Sequence, residues 1–360
     1  MVSAAPRHVW AVFAVVGLLI LTGSAAPGSI SAQTPAETTL RPMTFLDMQL
    51  MRQAGSATPS PDGRWMLYTV SAPDWQEARR QTDIYLVSMQ EGVQSTRQMT
   101  FTTEKNETSP AWSRDGRFFL FLSNRDAPST TSSQNQIYLM RPDGGEARRI
   151  TNAKDGVSDF VLSEDGKWLV YRAGRDDARQ LYRLAVQAIE TGAAASLDEA
   201  DGRSRAEPEQ LTTQPAGIAE WALVSGRPRI YFSTPDRVDA DEKARREKRF
   251  TVNIRNAETP TASLWALDLD PHRPARLTPD GTYSVSGVTV SDDGKWVGFR
   301  GNSTNRYQRN ITQANLYSDL YVLETATGEI ERLTNNPEAG EAGPASRPTA
   351  DGSPSAGPTT

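Results

Sequence analysis

The chain has 360 residues, a mass of 39.5 kDa and a formal charge of −5, from 39 basic and 44 acidic side chains. The absence of cysteine excludes disulfides, thiolate nucleophiles and cysteine-based zinc sites, and two histidines leave little room for histidine-based chemistry. The mild acidity argues against a nucleic-acid partner, because no basic stripe is present to neutralise phosphates. These counts are typical of a globular protein with two domains or one large all-β domain.

Residues 1–32 have the pattern of a secretory signal peptide. Arg7 precedes the apolar run 9–21, and small residues follow it, so that cleavage after Ala26 or Ala32 is expected. A membrane-spanning helix needs about 20 apolar residues, and this run is shorter; the alternative is an uncleaved membrane anchor. Cleavage after Ala32 removes Arg7 and no acidic residue, which changes the charge from −5 to −6. The sequence therefore predicts a periplasmic or secreted protein without a membrane span after cleavage.

Residues 33–55 are predicted to form a linker that carries a short helix. Thr44 and Asp47 have the spacing of a capping box, and Gly55 is expected to end the helix. The apolar residues that we expect on one side of this helix are Leu46, Leu50 and Met51.

Three landmarks recur in the same order five times between residues 56 and 336. The first is SPDGRWMLYTV at 60–70, with copies at 113–123, 163–173 and 291–301 and a degenerate copy at 225–233. The second is an apolar segment with a central aromatic residue, at 83–89, 136–142, 180–186, 263–269 and 319–325. The third is a closing threonine, at Thr100, Thr151, Thr212, Thr278 and Thr334. Such a recurrence predicts a repeat architecture; the alternative is a β-sandwich with accidental Asp-Gly turns.

The first landmark has the features of a tight turn followed by a buried strand. Asp can accept a hydrogen bond from the backbone two residues on, and Gly tolerates a positive φ. Aromatic residues follow the turn aspartate at two positions that lie on opposite faces of a strand. Those at the third position are Trp65, Phe118, Trp168 and Trp296, and those at the sixth are Tyr68, Phe121, Tyr171 and Phe299. A strand that is apolar on both faces is covered on both faces.

Short strands, about four in each repeat and covered from both sides, are typical of β-propeller blades. We therefore expect an all-β fold in which residues 56–336 form a β-propeller of about five four-stranded blades. We interpret these blades as part of an incomplete seven- or eight-bladed ring.

The repeated Ser-x-Asp-Gly-[Arg/Lys]-aromatic units that close on Leu-Thr resemble the WD40-like repeats of TolB-type proteins and of the prolyl oligopeptidase family of serine peptidases. The segments 43–65, 71–75 and 82–87 are similar to the opening of secreted dipeptidyl-peptidase and acylaminoacyl-peptidase relatives. The resemblance covers residues 43–336. It implies a propeller that covers the active site of a peptidase and admits short peptides. The alternatives are a TolB-like periplasmic protein-binding propeller and a glycan hydrolase that uses a pair of carboxylates.

The chemistry of that family depends on an α/β-hydrolase domain with Ser in a G-x-S-x-G motif, followed by Asp and His. The sequence has no G-x-S-x-G motif, and His272, expected to be a solvated loop residue, is the only histidine after signal cleavage. We therefore assign no catalytic, cofactor-binding or metal-binding residue, and we expect no cofactor. The hydrolase domain is the missing partner, and the chain alone is expected to be inactive.

Two further segments depart from the repeat. Residues 239–250 are charged and helix-favouring, and we expect a solvated helical insertion within the fourth repeat. Residues 337–360 are rich in Pro, Ala, Gly, Ser and Thr, which predicts a disordered or frame-shifted tail. The repeat spacing places the next turn serine at 346 or 347. For one possible choice of codons for residues 346–352, adding a single base in front shifts the reading frame. The shifted frame encodes Phe-Ser-Pro-Asp-Gly-Arg-Arg, which has the pattern of the first landmark. A single-base deletion near codon 346 is therefore our hypothesis.

Overall fold

The structure, a computed structural model, describes residues 41–127, 134–175, 178–190, 207–238, 240–250, 260–279, 281–302, 318–335, 341 and 344. The chain divides into two units, Met1–Thr44 and Phe45–Thr360, and all elements described below belong to the second. The predicted signal peptide and nearly all of the predicted tail lie outside the described residues. So do residues 33–40 of the predicted linker.

The described residues form five four-stranded antiparallel sheets, and each sheet consists of four consecutive strands. The first sheet contains β1 (Gln53–Pro59), β2 (Trp65–Asp74), β3 (Arg79–Ser88) and β4 (Gly92–Gln98). The second contains β5 (Glu107–Trp112), β6 (Phe119–Ser123), β7 (Gln136–Arg141) and β8 (Gly144–Arg149). The third contains β9 (Val157–Leu162), β10 (Trp168–Ala173), β11 (Gln180–Ala185) and β12 (Glu209–Gln210). The fourth contains β13 (Glu220–Leu223), β14 (Arg229–Pro235), β15 (Ala262–Leu269) and β16 (His272–Arg276).

The fifth sheet contains β17 (Ser284–Val290), β18 (Trp296–Asn302), β19 (Ser318–Glu324) and β20 (Ile330–Arg332). Three helices accompany the sheets in the described part of the chain, α1 (Phe45–Leu50), α2 (Val186–Glu190) and α3 (Ala240–Glu247). Neighbouring strands in every sheet follow the chain order, as they do in propeller blades. The prediction of an all-β fold with five four-stranded sheets is therefore confirmed.

The segment before the first sheet differs in detail from its prediction. The helix α1 begins at Phe45, directly after Thr44, but it ends at Leu50. Gly55 does not end the helix, because it lies in β1 and pairs with Thr69 of β2. The first strand starts at Gln53, and its pairing with β2 extends the chain at residues where the sequence pattern still allowed helix. The three apolar residues expected on one side of α1 are all exposed.

The Asp-Gly turns have the geometry that the sequence predicts. The Ser60 hydroxyl donates to Oδ1 of Asp62 at 2.6 Å, and Oγ of Ser60 accepts the amide of Trp65 at 2.9 Å. Asp62 Oδ1 also accepts the amide of Arg64 at 3.1 Å, and Gly63 has a φ of 68°. The same three hydrogen bonds recur in the turns that start at Ser113, Ser163 and Ser291. The turn serine therefore links both ends of its turn.

The closing threonine joins the end of each repeat to the third strand. In the first sheet, Oγ1 of Thr100 accepts the amide of Ile84 at 2.9 Å, and its hydroxyl donates to Asp83 at 3.2 Å. Thr151, Thr212, Thr278 and Thr334 accept the equivalent amide in the other four sheets, at 2.8–2.9 Å. A buried amide that would otherwise lack a partner is thereby satisfied at the same place in each sheet.

The sheets pack face to face in chain order. Four clusters of buried apolar residues occur among the described residues, and each joins two consecutive sheets. We call the face of a sheet towards the next sheet its front face and the opposite one its rear face. Phe118 lies in the cluster with the third sheet and Phe121 in the cluster with the first, so the two aromatic positions point in opposite directions. Trp168 and Tyr171 divide in the same way, which confirms the prediction.

Candidate functional site

His272 is the only described histidine, so a catalytic triad within the described residues would have to use it. We expected a loop residue, but His272 is the first residue of β16 and pairs with Leu269. It therefore lies at the end of the β15–β16 hairpin, because the strand pairing extends to the turn. Its Nε2 lies 3.4 Å from Oε1 of Glu209. Among the described residues, no serine hydroxyl forms a hydrogen bond with this imidazole. The geometry gives His272 a carboxylate neighbour but no nucleophile.

Arg183 is the centre of the charged cluster around that histidine. Its guanidinium lies 4.2 Å from the ring centre of Trp168, its Nε donates to Oε2 of Glu209 at 2.7 Å, and its Nη2 is 3.7 Å from Asp270. The side chain is only 8% exposed, so its charge is desolvated and depends on these partners. Arg183 therefore ties the third sheet to the β15–β16 hairpin of the fourth sheet.

A groove between the third and fourth sheets opens beside this cluster. It has a volume of about 310 Å³, and its lining includes Trp168, Arg183, Asp270 and Ser163. Ser163 is not available as a nucleophile, because its hydroxyl donates to Asp165 at 2.6 Å within the turn. The groove offers an aromatic face and charges of both signs. It can hold a polar ligand, but it lacks a nucleophile paired with a base.

Glu107 is the most deeply buried acidic residue that the structure describes. It is fully buried at the start of β5 and accepts hydrogen bonds from Thr102 at 2.8 Å and Ser123 at 2.9 Å. Arg125 forms an ion pair with it at 3.2 Å and lies 4.8 Å from the ring centre of Tyr138. Burial raises the pKa of Glu107 above its ordinary value. The network links the loops of the first two sheets. Because its hydrogen bonds and its ion pair all join residues of the protein, we interpret it as a structural cluster rather than an acid–base pair.

The predicted helical insertion in the fourth repeat is present. Helix α3 lies between β14 and β15, with Asp241 and Glu242 in its first turn, and most of its described side chains are exposed. Within the described ranges, no group of three or more histidine, aspartate or glutamate side chains could hold a metal ion. None of the helices in those ranges is long and apolar enough to cross a membrane.

Sequence reasoning did not single out Arg183 or Glu107. Arg183 had a detectable signal, because it stands in the second landmark where the other repeats have Leu86, Leu139, Ala266 and Val322. A charged residue at an apolar position of a repeat indicates a specific partner. Glu107 had no comparable signal, since its partners come from loops whose arrangement depends on the packing of two sheets.

Comparison with known proteins relates the chain to peptidases. No family model matches the chain. The chain is 28% identical over 169 residues to dipeptidyl-peptidase 5 of Porphyromonas endodontalis. The matched segment covers 46% of this chain and 23% of that protein. The chain is also 32% identical over 151 residues to dipeptidyl-peptidase 5 of Porphyromonas gingivalis. That match covers 42% of this chain and 20% of that protein. The matched region thus spans less than a quarter of each relative.

A solved structure from Bacteroides ovatus, described as a dipeptidyl aminopeptidase IV, has a similar fold. It has a TM-score of 0.51 and 13% sequence identity, and the match covers 78% of this chain and 40% of that one. At this identity, the likeness concerns the fold alone. Together with the sequence matches, it confirms the resemblance of this propeller-type chain to the propeller regions of peptidases.

Proposed function

We propose that the chain is the substrate-gating propeller portion of an exported serine peptidase of the prolyl oligopeptidase family, truncated before its α/β-hydrolase domain. The observation that carries this proposal is the similarity to two dipeptidyl-peptidase 5 proteins. The complete enzyme would act on short peptides. Its reaction would be acyl transfer to a serine, with a histidine base and an oxyanion hole that the hydrolase domain supplies.

The chemistry of the described residues supports a gating role rather than bond cleavage. A serine hydrolase needs a hydroxyl within hydrogen-bond reach of a base. His272 instead faces Glu209, and Ser163 donates to Asp165. The repeats supply stacked sheets, and the groove beside Arg183 supplies a place for polar contacts.

The first experiment measures peptidase activity of the purified chain that starts at residue 33. We expect no hydrolysis of dipeptidyl or acyl-amino-acid reporters above the blank, and the same result for His272→Ala. Hydrolysis that disappears in His272→Ala would contradict the proposal, because it would show a catalytic site within this chain.

The second experiment reads the gene downstream of codon 345. We expect another reading frame to encode further blades and then a G-x-S-x-G motif. A downstream region without either would remove the truncation from the proposal. A TolB-like protein-binding propeller would instead be indicated if the chain specifically retained one envelope protein.

The third experiment tests export. Residues 1–32 have the charge and apolar run of a signal peptide. We expect the mature protein in the periplasm or medium, with Pro27 or Gln33 at its amino terminus. Recovery of the intact amino terminus in the cytoplasm would contradict export.

A further inference from the structure

One arginine beside the groove between the third and fourth sheets is incompletely hydrogen-bonded. Arg183 is buried, and its Nη1 has no hydrogen-bond partner in the part of the chain that the structure describes. Its Nη2 lies 3.7 Å from Oδ1 of Asp270, which is beyond hydrogen-bond distance. Only its Nε forms a hydrogen bond with a described residue, to Glu209 at 2.7 Å. Both terminal nitrogens of this guanidinium therefore lack an acceptor, although all of its nitrogens are donors.

At the interface of the first and second sheets, the corresponding arginine bonds to the next sheet directly. Arg97 lies 5.6 Å from the ring centre of Trp65. Trp65 occupies the position of Trp168 in the repeat, so this cation–π pair is equivalent to that of Arg183. The Nη2 of Arg97 donates to the carbonyl of Pro142 at 2.9 Å, in the turn after the third strand of the second sheet. A main-chain carbonyl therefore satisfies this arginine.

A carbonyl also accepts a hydrogen bond from an arginine at the interface of the second and third sheets. Arg148 donates to the carbonyl of Ile189, which lies in α2, directly after the third strand of the third sheet. At the interface of the third and fourth sheets, the residue after the third strand is Asp270, and no carbonyl of the described residues accepts from Arg183. A groove of about 310 Å³ opens there instead. The missing acceptor therefore leaves room for one that a bound molecule carries.

The charges around Arg183 favour an acceptor that is uncharged. Glu209 and Asp270 already lie within hydrogen-bond or ion-pair distance of the guanidinium, so they would repel the carboxylate of a ligand. Both oxygens of Glu209 have partners, because Oε1 lies 3.4 Å from Nε2 of His272. The side chain of Asp270 is 68% exposed and accepts no hydrogen bond from the described residues. A donor beside a free acceptor matches the C=O and N–H of an amide.

The groove also has an apolar part. Its lining includes Val170, Val224 and Leu269, which are buried, and Leu223, which is half-buried. Its volume is at the lower end of the range for ligand pockets, which begins at about 300 Å³. A branched aliphatic group of a small molecule therefore fits beside the polar contacts.

We propose that this groove binds a small uncharged molecule with an amide group next to a branched aliphatic group. The carbonyl accepts from the terminal nitrogens of Arg183, the N–H donates to Asp270, and the aliphatic group packs on Leu223 and Leu269. This chemistry occurs in acylated amino-acid amides and within peptides. The proposal rests on the contacts of Arg183 and not on the peptidase relationship, so either can fail while the other holds.

The first test measures binding of N-acetyl-L-leucine N-methylamide to the purified chain that starts at residue 33, by calorimetric titration. We expect saturable binding at one site. N-acetyl-L-leucine should bind at least about tenfold more weakly, because its carboxylate meets Glu209 and Asp270. Tighter binding of acetyl-Ala-Leu-Ala N-methylamide would support a peptide as the source of the amide, and equal binding would support a small amide. Absence of saturation, or equal affinity for the carboxylate, would overturn the proposal.

Substitution of the arginine locates the site. Arg183→Lys keeps a positive charge beside Glu209 but removes both terminal nitrogens, so we expect the affinity for the amide probe to fall at least about tenfold. Arg97→Lys is the matched control and should leave the affinity unchanged, because Arg97 bonds to Pro142 at a different interface. Equal affinities of the two variants would overturn the assignment.

An exposed residue provides a second variant in case Arg183→Lys does not fold. Asp270→Asn replaces a charged acceptor by a neutral one, and hydrogen bonds to charged groups are roughly twice as strong. We expect the affinity for the amide probe to fall at least about threefold. Asp143→Asn is the control, because Asp143 is also exposed and lies in the corresponding turn of the second sheet. An unchanged affinity of Asp270→Asn would overturn the contact with the N–H.

Discussion

Single hydroxyl groups stabilise the Asp-Gly turn of four repeats and the end of all five. The turn serine bridges the aspartate and the first strand residue, and the closing threonine satisfies a buried amide of the third strand. The turn serine and the closing threonine are both recognisable in the sequence, because they recur at equivalent positions of the repeats. The role of the threonine could not be predicted, because the amide whose hydrogen bond it accepts lies 14 to 31 residues away in the chain. Only the fold brings them together.

The closing threonine predicts a measurable loss of stability. Thr151→Val keeps the shape of the side chain but leaves the amide of Ile137 without its acceptor. A buried group without a partner costs about 1–3 kcal/mol, so we expect the free energy of unfolding to fall by about that amount. Urea titration measures the change. Thr108→Val is the control, because Thr108 lies half-buried in β5 without a side-chain hydrogen bond among the described residues. Equal effects of the two substitutions would contradict the assigned role.

At the scale of the element, the Asp-Gly turns connect sequence to strand most directly. A local hydrogen-bond pattern specifies each turn, so the sequence alone predicted it. The end of α1 was predicted wrongly because pairing with β2, a tertiary contact, extends the chain from Gln53. Arg183 escaped prediction for a related reason, since its partners Glu209 and Asp270 lie on other strands or turns. The local sequence pattern therefore predicts the turns and strands. The packing of the sheets determines which residues the side chains contact.

The turns also predict a dependence of stability on pH. Hydrogen bonds from Ser60 and Ser291 lower the pKa of Asp62 and Asp293 from 3.8 to about 2. A lowered folded-state pKa stabilises the fold above the unfolded pKa, and this stability is lost as the pH falls through the folded pKa. We expect the free energy of unfolding to fall between about pH 4 and 2. The double variant Asp62→Asn, Asp293→Asn should show a shallower fall over this range. Identical slopes would contradict the assignment.

At the scale of the whole second unit, consecutive sheets pack on one another in chain order. Each internal interface joins the front face of one sheet to the rear face of the next. On the rear face of the first sheet, Tyr68 stacks on Tyr85 with ring centres 5.6 Å apart, and both are half-buried. Among the described residues, no buried apolar cluster joins this face to the fifth sheet. The repeat count alone is compatible with a closed ring of five sheets or with an open series, and the exposure of the two outer faces is seen only in the packed sheets.

Exposed packing faces predict self-association of the isolated chain, because partly covered apolar surfaces attract other copies. We expect oligomers or poor solubility, which light scattering coupled to size-exclusion chromatography measures. Trp296→Lys should shift the population towards monomer by placing a charge on the front face. Trp75→Lys is the matched control, since Trp75 is also exposed but lies at the β2–β3 turn. A monodisperse monomer of the unmodified chain would contradict this prediction.

The central claim is that the five sheets stack in chain order, and that the rear face of the first sheet does not pack on the front face of the fifth. Spin labels on Tyr68→Cys and Trp296→Cys in the cysteine-free chain measure this separation by pulsed electron paramagnetic resonance. Packed sheets lie about 10 Å apart, so labels across a closed interface would be within reach of contact. We predict a distance well beyond that range, about 20 Å or more, in the monomer. A short distance would show that the fifth sheet packs on the first in a closed five-bladed ring, and would contradict the account.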